Sequence, residues 1–391
     1  MTNITNPHIV IIGAGYAGVM AALRLSHHSD QLAITVINAS DQFNERIRLH
    51  QASTGQRLPK HDLKQILRHV TFKQGLVEAI QPEAKTLTMT VQGQPCQIAY
   101  DYLIYALGSR IDRHSVPGVD QHAYTVDQFA QIREVLRTQP GRILVVGGGL
   151  TGIETATEIA ERTPGNRVTL ITAGLLGVGL SKAGQNYLRN VFEQLRITVQ
   201  ENTQITRVEA KSAITDHGTC LPFDLCLWTA GFEVPSLARE AGLAVNNRGQ
   251  VMVDSTLRSV SHSDIYAIGD SAALDPNIGI RLRMACATAL PMGSYIADQI
   301  RAVIAGQAGT PFRFGYAIQC ISLGRRRGLV QFVNTDDSPK ERIITGKAGA
   351  EVKELICRYT MLSLSMERYH IGRYRWSQGI VGQQKAVPLQ W

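Results

Sequence analysis

Two glycine-rich turns constrain this chain more than any other feature. They are Gly13-Ala14-Gly15-Tyr16-Ala17-Gly18 and Gly147-Gly148-Gly149-Leu150-Thr151-Gly152, 134 residues apart (147 − 13) in a chain of 391. Each follows four consecutive apolar residues, at 9–12 and 143–146, the pattern of a strand buried on both faces of a parallel sheet. Each also opens a stretch that reads as a helix. In such a strand–turn–helix the first glycine permits the tight turn, the second lets a pyrophosphate approach the backbone, and the third lets the helix pack on the strand. The helix N-terminus then offers free N–H groups and a partial positive charge to phosphates. A single motif of this kind is weak, but the strand before and the helix after are the context it requires.

The repeat predicts two related nucleotide-binding units. Residues 8–38 read as βαβ, with the helix ending at Leu25 and the second strand over 32–38. The second unit has a strand at 143–146, a helix to about Arg162 and a strand over 167–172. Residues 86–105 alternate as strands and end in Ala106-Leu107-Gly108, a layout echoed by Thr229-Ala230-Gly231. Val116-Pro117-Gly118 marks a crossing between units, and after about residue 245 the chain returns to the first. The fold class is therefore α/β, with two Rossmann-like, three-layer dinucleotide-binding domains and a C-terminal α+β segment. The expected domains are 1–115 plus 245–305, 116–244, and 306–391. The last should hold strands at 312–322 and 328–334 and a helix near 347–362.

Neither second strand ends in the usual acid. A carboxylate there would accept both ribose hydroxyls, but Asn38 and Thr172 occupy these positions. At the nicotinamide site the missing acid removes a block against a 2′-phosphate, so NADPH is open as well as NADH. Lys182 and Arg189 are the cations placed to reach such a phosphate. A third signal is Ile265-Tyr266-Ala267-Ile268-Gly269-Asp270. An aspartate at a strand end is a fixed acceptor for a polyol, although an N-cap role is the alternative.

Taken in this order, the motifs resemble the pyridine nucleotide–disulfide oxidoreductase superfamily over roughly residues 8–305. The resemblance implies FAD at Gly13, Gly15, Gly18, Asn38 and Gly108, and a flavin ribityl contact at Gly269-Asp270. It implies NAD(P)H as co-substrate at Gly147, Gly149, Gly152 and the following Glu154. It also implies that the helix beginning near Pro291 points at the flavin, where its dipole would stabilise negative charge.

Within the superfamily, disulfide reductases need a cysteine pair beside the flavin. The six cysteines show no C-x-x-C spacing, and residues 41–51 contain none. Cys220 and Cys226 read as core thiols, and Cys286 as inert packing near the flavin. What remains is a pattern similar to type II NADH:quinone oxidoreductases and to ferroptosis-suppressor and apoptosis-inducing-factor-like flavoproteins. A quinone is then the expected electron acceptor, although the Gln-rich quinone-contact motif is replaced by Ala285-Cys286-Ala287-Thr288-Ala289-Leu290. Arg48, His50 and Gln51 sit where the redox disulfide would lie. They are the candidate catalytic groups, with His50 as proton donor; an exposed basic helix is the competing reading.

Composition limits the partners. The net charge is +8, and residues 306–391 hold thirteen Lys/Arg against six Asp/Glu, so +7 sits there. Val352, Leu355, Ile356 and Tyr359 fall on one helical face with Lys347, Lys353 and Arg358 nearby. Such a face suits an anionic membrane interface, packing against the protein itself, or a homodimer; nucleic acid is not called for. No secretory signal is visible, and the longest apolar stretch, over 9–23, is short of the ~20 residues a span needs. The expected setting is cytoplasmic, with peripheral contact at the inner face of the membrane. Two alternatives stand beside the quinone reading: a soluble biosynthetic flavoenzyme acting on a specialised metabolite, and a redox-sensing binding protein.

Overall fold

The structure, a computed structural model, describes residues 6–138, 141–274 and 282–379. Lys385, one of the cations counted above, lies outside them. β1 (His8–Ile12) leads through the first glycine turn into α1 (Tyr16–Leu25), and the chain returns as β2 (Ala33–Asn38). The two strands pair in parallel, Ile9 beside Ile34 and Ile12 beside Ile37, and residues 9–12 are fully buried. A short helix, α2 (Leu49–Ser53), and β3 (Thr71–Gln74) follow. An antiparallel meander of β4 (Leu76–Gln81), β5 (Thr86–Val91) and β6 (Gln94–Ala99) then brings β7 (Tyr102–Tyr105) back beside β1.

The second unit repeats the pattern with β8 (Arg142–Val146), α3 (Leu150–Arg162), β9 (Arg167–Ile171), α4 (Lys182–Gln194), β10 (Thr198–Gln200) and β11 (Leu225–Trp228). Its strands lie in the order β10-β9-β8-β11, all parallel. Cys226 is buried on β11, whereas Cys220 is exposed on a separate strand, so only one of the two expected core thiols is in the core.

The chain then re-enters the first sheet. β12 (Ile265–Ala267) pairs with β7, giving the order β12-β7-β1-β2-β3. α5 (Cys286–Ile304) packs on α1 so closely that a Cβ on Gly293 would stand 2.3 Å from the Ala17 carbonyl oxygen. Pro291 lies inside α5, so the helix starts before it rather than at it.

β13 (Ile318–Ser322), β14 (Gly328–Val333) and β15 (Pro339–Thr345) form an antiparallel sheet that ends in α6 (Gly346–Arg368). The sequence reading has no strand at 339–345, because its first four residues are exposed and carry no apolar alternation. It also stops the helix short of its full 23 residues. This segment packs into both cores. Ile321, Leu323 and Leu329 join the core around β8, β9 and α3, while Phe312, Val333 and Leu364 join the core around β1 and α5.

Candidate functional site

The two glycine turns share one geometry. Gly13 has φ +100°, and a Cβ on Gly18 would stand 2.0 Å from the Gly13 carbonyl oxygen. Gly147 has φ +120°, and the corresponding distance for Gly152 is 1.9 Å. Only glycine allows these contacts. By contrast, a Cβ on Gly15 or Gly149 would meet nothing within 4 Å. Each of these is the N-cap of its helix, with extended backbone and no capping side chain. Both helices therefore open on bare N–H groups beside unfilled backbone, the donor set and the space that a pyrophosphate requires.

Asn38 stands at the end of β2, where its side-chain oxygen accepts from the Ala14 N–H at 3.0 Å and its amide donates to the Ser40 carbonyl at 2.8 Å. It thus holds the first turn in shape. Gly108 and Gly269 both have positive φ and bring two loops together: Ser109 donates to Asp270 Oδ2 at 2.7 Å, and Arg46 donates to the Ser109 carbonyl. Burial pushes the Asp270 carboxyl up, with Ser109 and Arg46 opposing. Asp270 lies within a short 3-10 turn and does not cap α5, whose N-cap is Ala285. Its position beside the first turn fits a polyol acceptor. The sequence reading places Arg46 only within the 45–51 cluster and gives Ser109 no role; neither carries a motif that puts it beside Asp270.

At the second turn, Thr172 packs beneath Gly148, where an added Cβ would stand 2.4 Å from its hydroxyl. Arg189, expected to be free for a phosphate, donates to Glu201 Oε1 at 2.5 Å.

Glu154 lies in a buried charged junction instead of standing apart beside the turn. Its Oε1 is 2.9 Å from Lys353 Nζ of α6 and accepts from the Ser322 N–H at 3.0 Å. Its Oε2 is 3.7 Å from His50 Nδ1 of α2. Burial pushes the Glu154 carboxyl up, but Lys353, His50 and Ser322 together outweigh it and hold the group below its ordinary value. Burial likewise works against the Lys353 charge, and Glu154 more than restores it. Lys353 also donates to the Cys320 carbonyl at 3.2 Å. The sequence reading treats Lys353 as a cation near an amphipathic face. Its partner is 199 residues away (353 − 154), which no spacing rule reaches.

His50 is not the proton donor expected. Burial pulls its imidazole down to about 4; Glu154 opposes this, while Lys353, Arg325 and Arg48 add to it. The ring is therefore neutral at pH 7. Its Nε2 lies 3.4 Å from Arg325, which places the ring proton on the Nδ1 that faces Glu154. Arg325 itself is held by Glu158 at 2.8 Å. Arg48 is similarly committed, donating to both oxygens of Glu354 at 2.8 and 3.0 Å and to Glu45 at 3.1 Å. All three residues of the expected cluster are buried, so the exposed-helix reading fails. Only Gln51 reaches open space. With Ser322, Arg325, Lys353, Glu354 and Cys357, it lines a cavity of about 460 Å³ between α2, the β13–β14 turn and α6.

All six cysteines are free. Burial pushes Cys286 and Cys320 up to about 11 and raises Cys357, so the thiols near Lys353 stay protonated at neutral pH.

Known proteins share this architecture. A type II NADH:quinone oxidoreductase of Staphylococcus haemolyticus is 27% identical over 385 residues, covering 89% of this chain and 93% of the relative. A demethylphylloquinone reductase of Synechocystis is 25% identical over 343 residues, covering 81% and 85%. Among solved structures, NDH2 of Plasmodium falciparum in complex with NADH superposes with a TM-score of 0.80 at 16% identity, over 94% of this chain and 97% of that one. The sulfide:quinone oxidoreductase of Aquifex aeolicus does so at 0.78 and 20%, over 93% and 92%. Residues 7–293 match the family described as pyridine nucleotide-disulphide oxidoreductase. That match covers most of the chain, both glycine turns included, so the chain belongs to this family, as an FAD-dependent oxidoreductase that uses a pyridine nucleotide.

Proposed function

We propose that this protein oxidises a nicotinamide nucleotide through FAD and passes the electrons to a quinone. FAD is assigned to the 13–18 turn, with its domain formed by residues 1–115 and 245–305. The nicotinamide nucleotide is assigned to the 147–152 turn within residues 116–244. Bound FAD supplies the chemistry, accepting hydride and releasing electrons to the second substrate. Relatives named for NADH:quinone and demethylphylloquinone reduction support the acceptor class.

The observation that carries this reading is the Glu154–Lys353 pair beside the cavity between α2 and α6. Lys353 presents a fixed ammonium to that space, and Glu154 keeps it charged despite burial. A charge of this kind favours negative charge developing on an acceptor oxygen without reorganisation. Gln51 accepts from Arg48 at 3.3 Å through its oxygen, which leaves its amide hydrogens for an acceptor carbonyl. Arg48 and His50 are positioning residues: the first anchors Glu354 of α6, the second faces the outer oxygen of Glu154. The protonated thiols nearby offer no nucleophile for disulfide exchange, so electrons pass on without a cysteine relay.

α6 also presents Leu355, Tyr359 and Leu362 to solvent, with Tyr369 and Ile371 beyond its end. Val352 and Ile356, expected on that face, are half-buried. Arg358, Arg373 and Arg375 flank the stripe. No helix among the described residues is long and apolar enough to cross a membrane. An apolar stripe rimmed by arginines suits peripheral contact with an anionic bilayer, where a quinone is dissolved.

Stopped-flow reduction of the flavin-loaded protein by NADH, followed by mixing with soluble quinones, tests the assignment. Rapid bleaching and rapid quinone-dependent reoxidation are expected. Reoxidation no faster with quinones than with buffer alone would refute the acceptor class.

A further inference from the structure

The end of β9 carries no acid of its own, but Glu201, directly after β10, stands beside it. The main chain laces the two strand ends together: Thr172 N–H donates to the Gln200 carbonyl at 2.9 Å, Asn202 N–H to Gly174 at 3.2 Å and Thr203 N–H to Thr172 at 3.0 Å. Glu201 is thereby fixed beside the 172–176 loop. Its Oε1 accepts from the Leu176 N–H at 2.7 Å and from Arg189 of α4 at 2.5 Å. Burial pushes this carboxyl up, but Arg189 and Leu176 outweigh it and hold the group ionised. Its other oxygen has no protein partner among the described residues.

We infer that Glu201, with Arg189, sets the choice between NADH and NADPH. This rests on the assignment of the second glycine turn to the nicotinamide nucleotide. In that fold the ribose carrying the 2′-oxygen lies over the end of the second strand, which here is Thr172, packed under Gly148. Thr172 brings no charge to the position. Glu201 does so from just beyond β10, and it acts twice. Its free oxygen is an acceptor for a ribose hydroxyl and repels a 2′-phosphate. Its bound oxygen holds Arg189, the cation that would otherwise grip that phosphate bidentately. The protein therefore prefers NADH, and the preference is held in one ion pair.

The test uses the flavin-loaded protein and two readouts: the rate of flavin reduction by each nucleotide, and the calorimetric Kd of NAD⁺ and NADP⁺. Glu201→Gln should raise the NADPH/NADH ratio of reduction efficiency by roughly tenfold or more, the scale of removing a like-charge contact. The NADP⁺ Kd should tighten relative to that of NAD⁺. Arg189→Gln added to Glu201→Gln should cancel the gain, and Arg189→Gln alone should lower the ratio below the wild-type value. A merely structural role for the pair would shift both nucleotides together. A ratio unmoved within twofold in Glu201→Gln and in Arg189→Gln overturns the inference alone. Failure of the wild-type flavin to be reduced by either nucleotide overturns the site assignment beneath it as well.

Discussion

Removing Lys353 should expose how the charged junction is balanced. Lys353 and Glu154 are 2.9 Å apart, with side chains 17% and 10% exposed. Losing one partner of a buried pair leaves the other charge unpaired, at about 3–5 kcal/mol. Lys353→Met and Glu154→Gln should each destabilise the flavin-loaded protein on that scale. The double variant should fall short of their sum by about 2 kcal/mol or more, because neither remaining group is then stranded. The geometry adds a sign. In Lys353→Met the Glu154 carboxylate keeps only the Ser322 N–H, at 3.0 Å, and His50, at 3.7 Å. The imidazole, freed from Lys353, should titrate higher than in the wild type, while burial still holds it below its unfolded value. A depressed histidine contributes stability that is present above the unfolded pKa and lost as pH falls toward the folded one, so the variant loses less of it than the wild type does. The deficit of Lys353→Met should therefore narrow between pH 7 and pH 5. Denaturant unfolding of the four proteins at both values, followed by flavin release and tryptophan fluorescence, measures this. Additivity within about 0.5 kcal/mol, or a deficit that does not change with pH, would refute the coupled junction.

Three further outcomes follow from the same structure. In the wild type, His50 is depressed from 6.5 to about 4, so its share of stability is present above pH 6.5 and lost as pH falls toward 4; that is worth about 2 kcal/mol between pH 7 and pH 5, and His50→Asn should flatten that limb of the unfolding profile. Gly15→Ala and Gly149→Ala place a methyl in open space and should leave protein that folds, the first losing flavin absorbance and the second losing NADH binding, whereas Gly18→Ala, 2.0 Å from a carbonyl, should not yield folded protein. Leu355→Glu with Leu362→Glu should reduce co-sedimentation with anionic vesicles several-fold while leaving flavin content intact; unchanged sedimentation would remove α6 as the contact surface.

Much of this arrangement is local and so was readable from sequence. The helices at 16–25 and 150–162 each begin three residues after the first glycine of the turn and end where the sequence places them, because strand, turn and helix are adjacent in the chain. The roles of Arg48, His50 and Lys353 were not readable. Their behaviour depends on groups brought from α3, β13 and α6, and burial reverses what composition implies. A histidine flanked by arginines looks like a proton donor and is instead neutral. A lysine on an amphipathic helix looks like surface charge and is instead the buried partner of Glu154. Thr172 misled in the other direction: the acid sought at its own strand end stands 29 residues on (201 − 172), beside it only because β9 and β10 are sheet neighbours.

On the proposed function, α6 would serve both substrate chemistry and surface contact. Lys353, Cys357, Thr360 and Leu364 recur at four-, three- and four-residue steps and face the interior. Leu355, Tyr359 and Leu362 follow the same steps two residues on and face solvent, at 66%, 46% and 54% exposure. A two-residue offset is about 200° around a helix, so the stripes lie on opposite faces. Glu354 lies between them, held by Arg48 on the protein side and by Arg358 at 2.8 Å on the outer side. Those two arginines hold the Glu354 carboxyl down to about 2, so the clamp stays charged through the physiological range. A surface that docks through Leu355 and Tyr359 would therefore act on the same rigid helix that positions Lys353 at the cavity. The proposed docking at a bilayer and the proposed acceptor cavity would then both follow from one helical register. A one-residue insertion between Lys353 and Leu355 should disturb both, while an insertion beyond Arg368 should disturb neither.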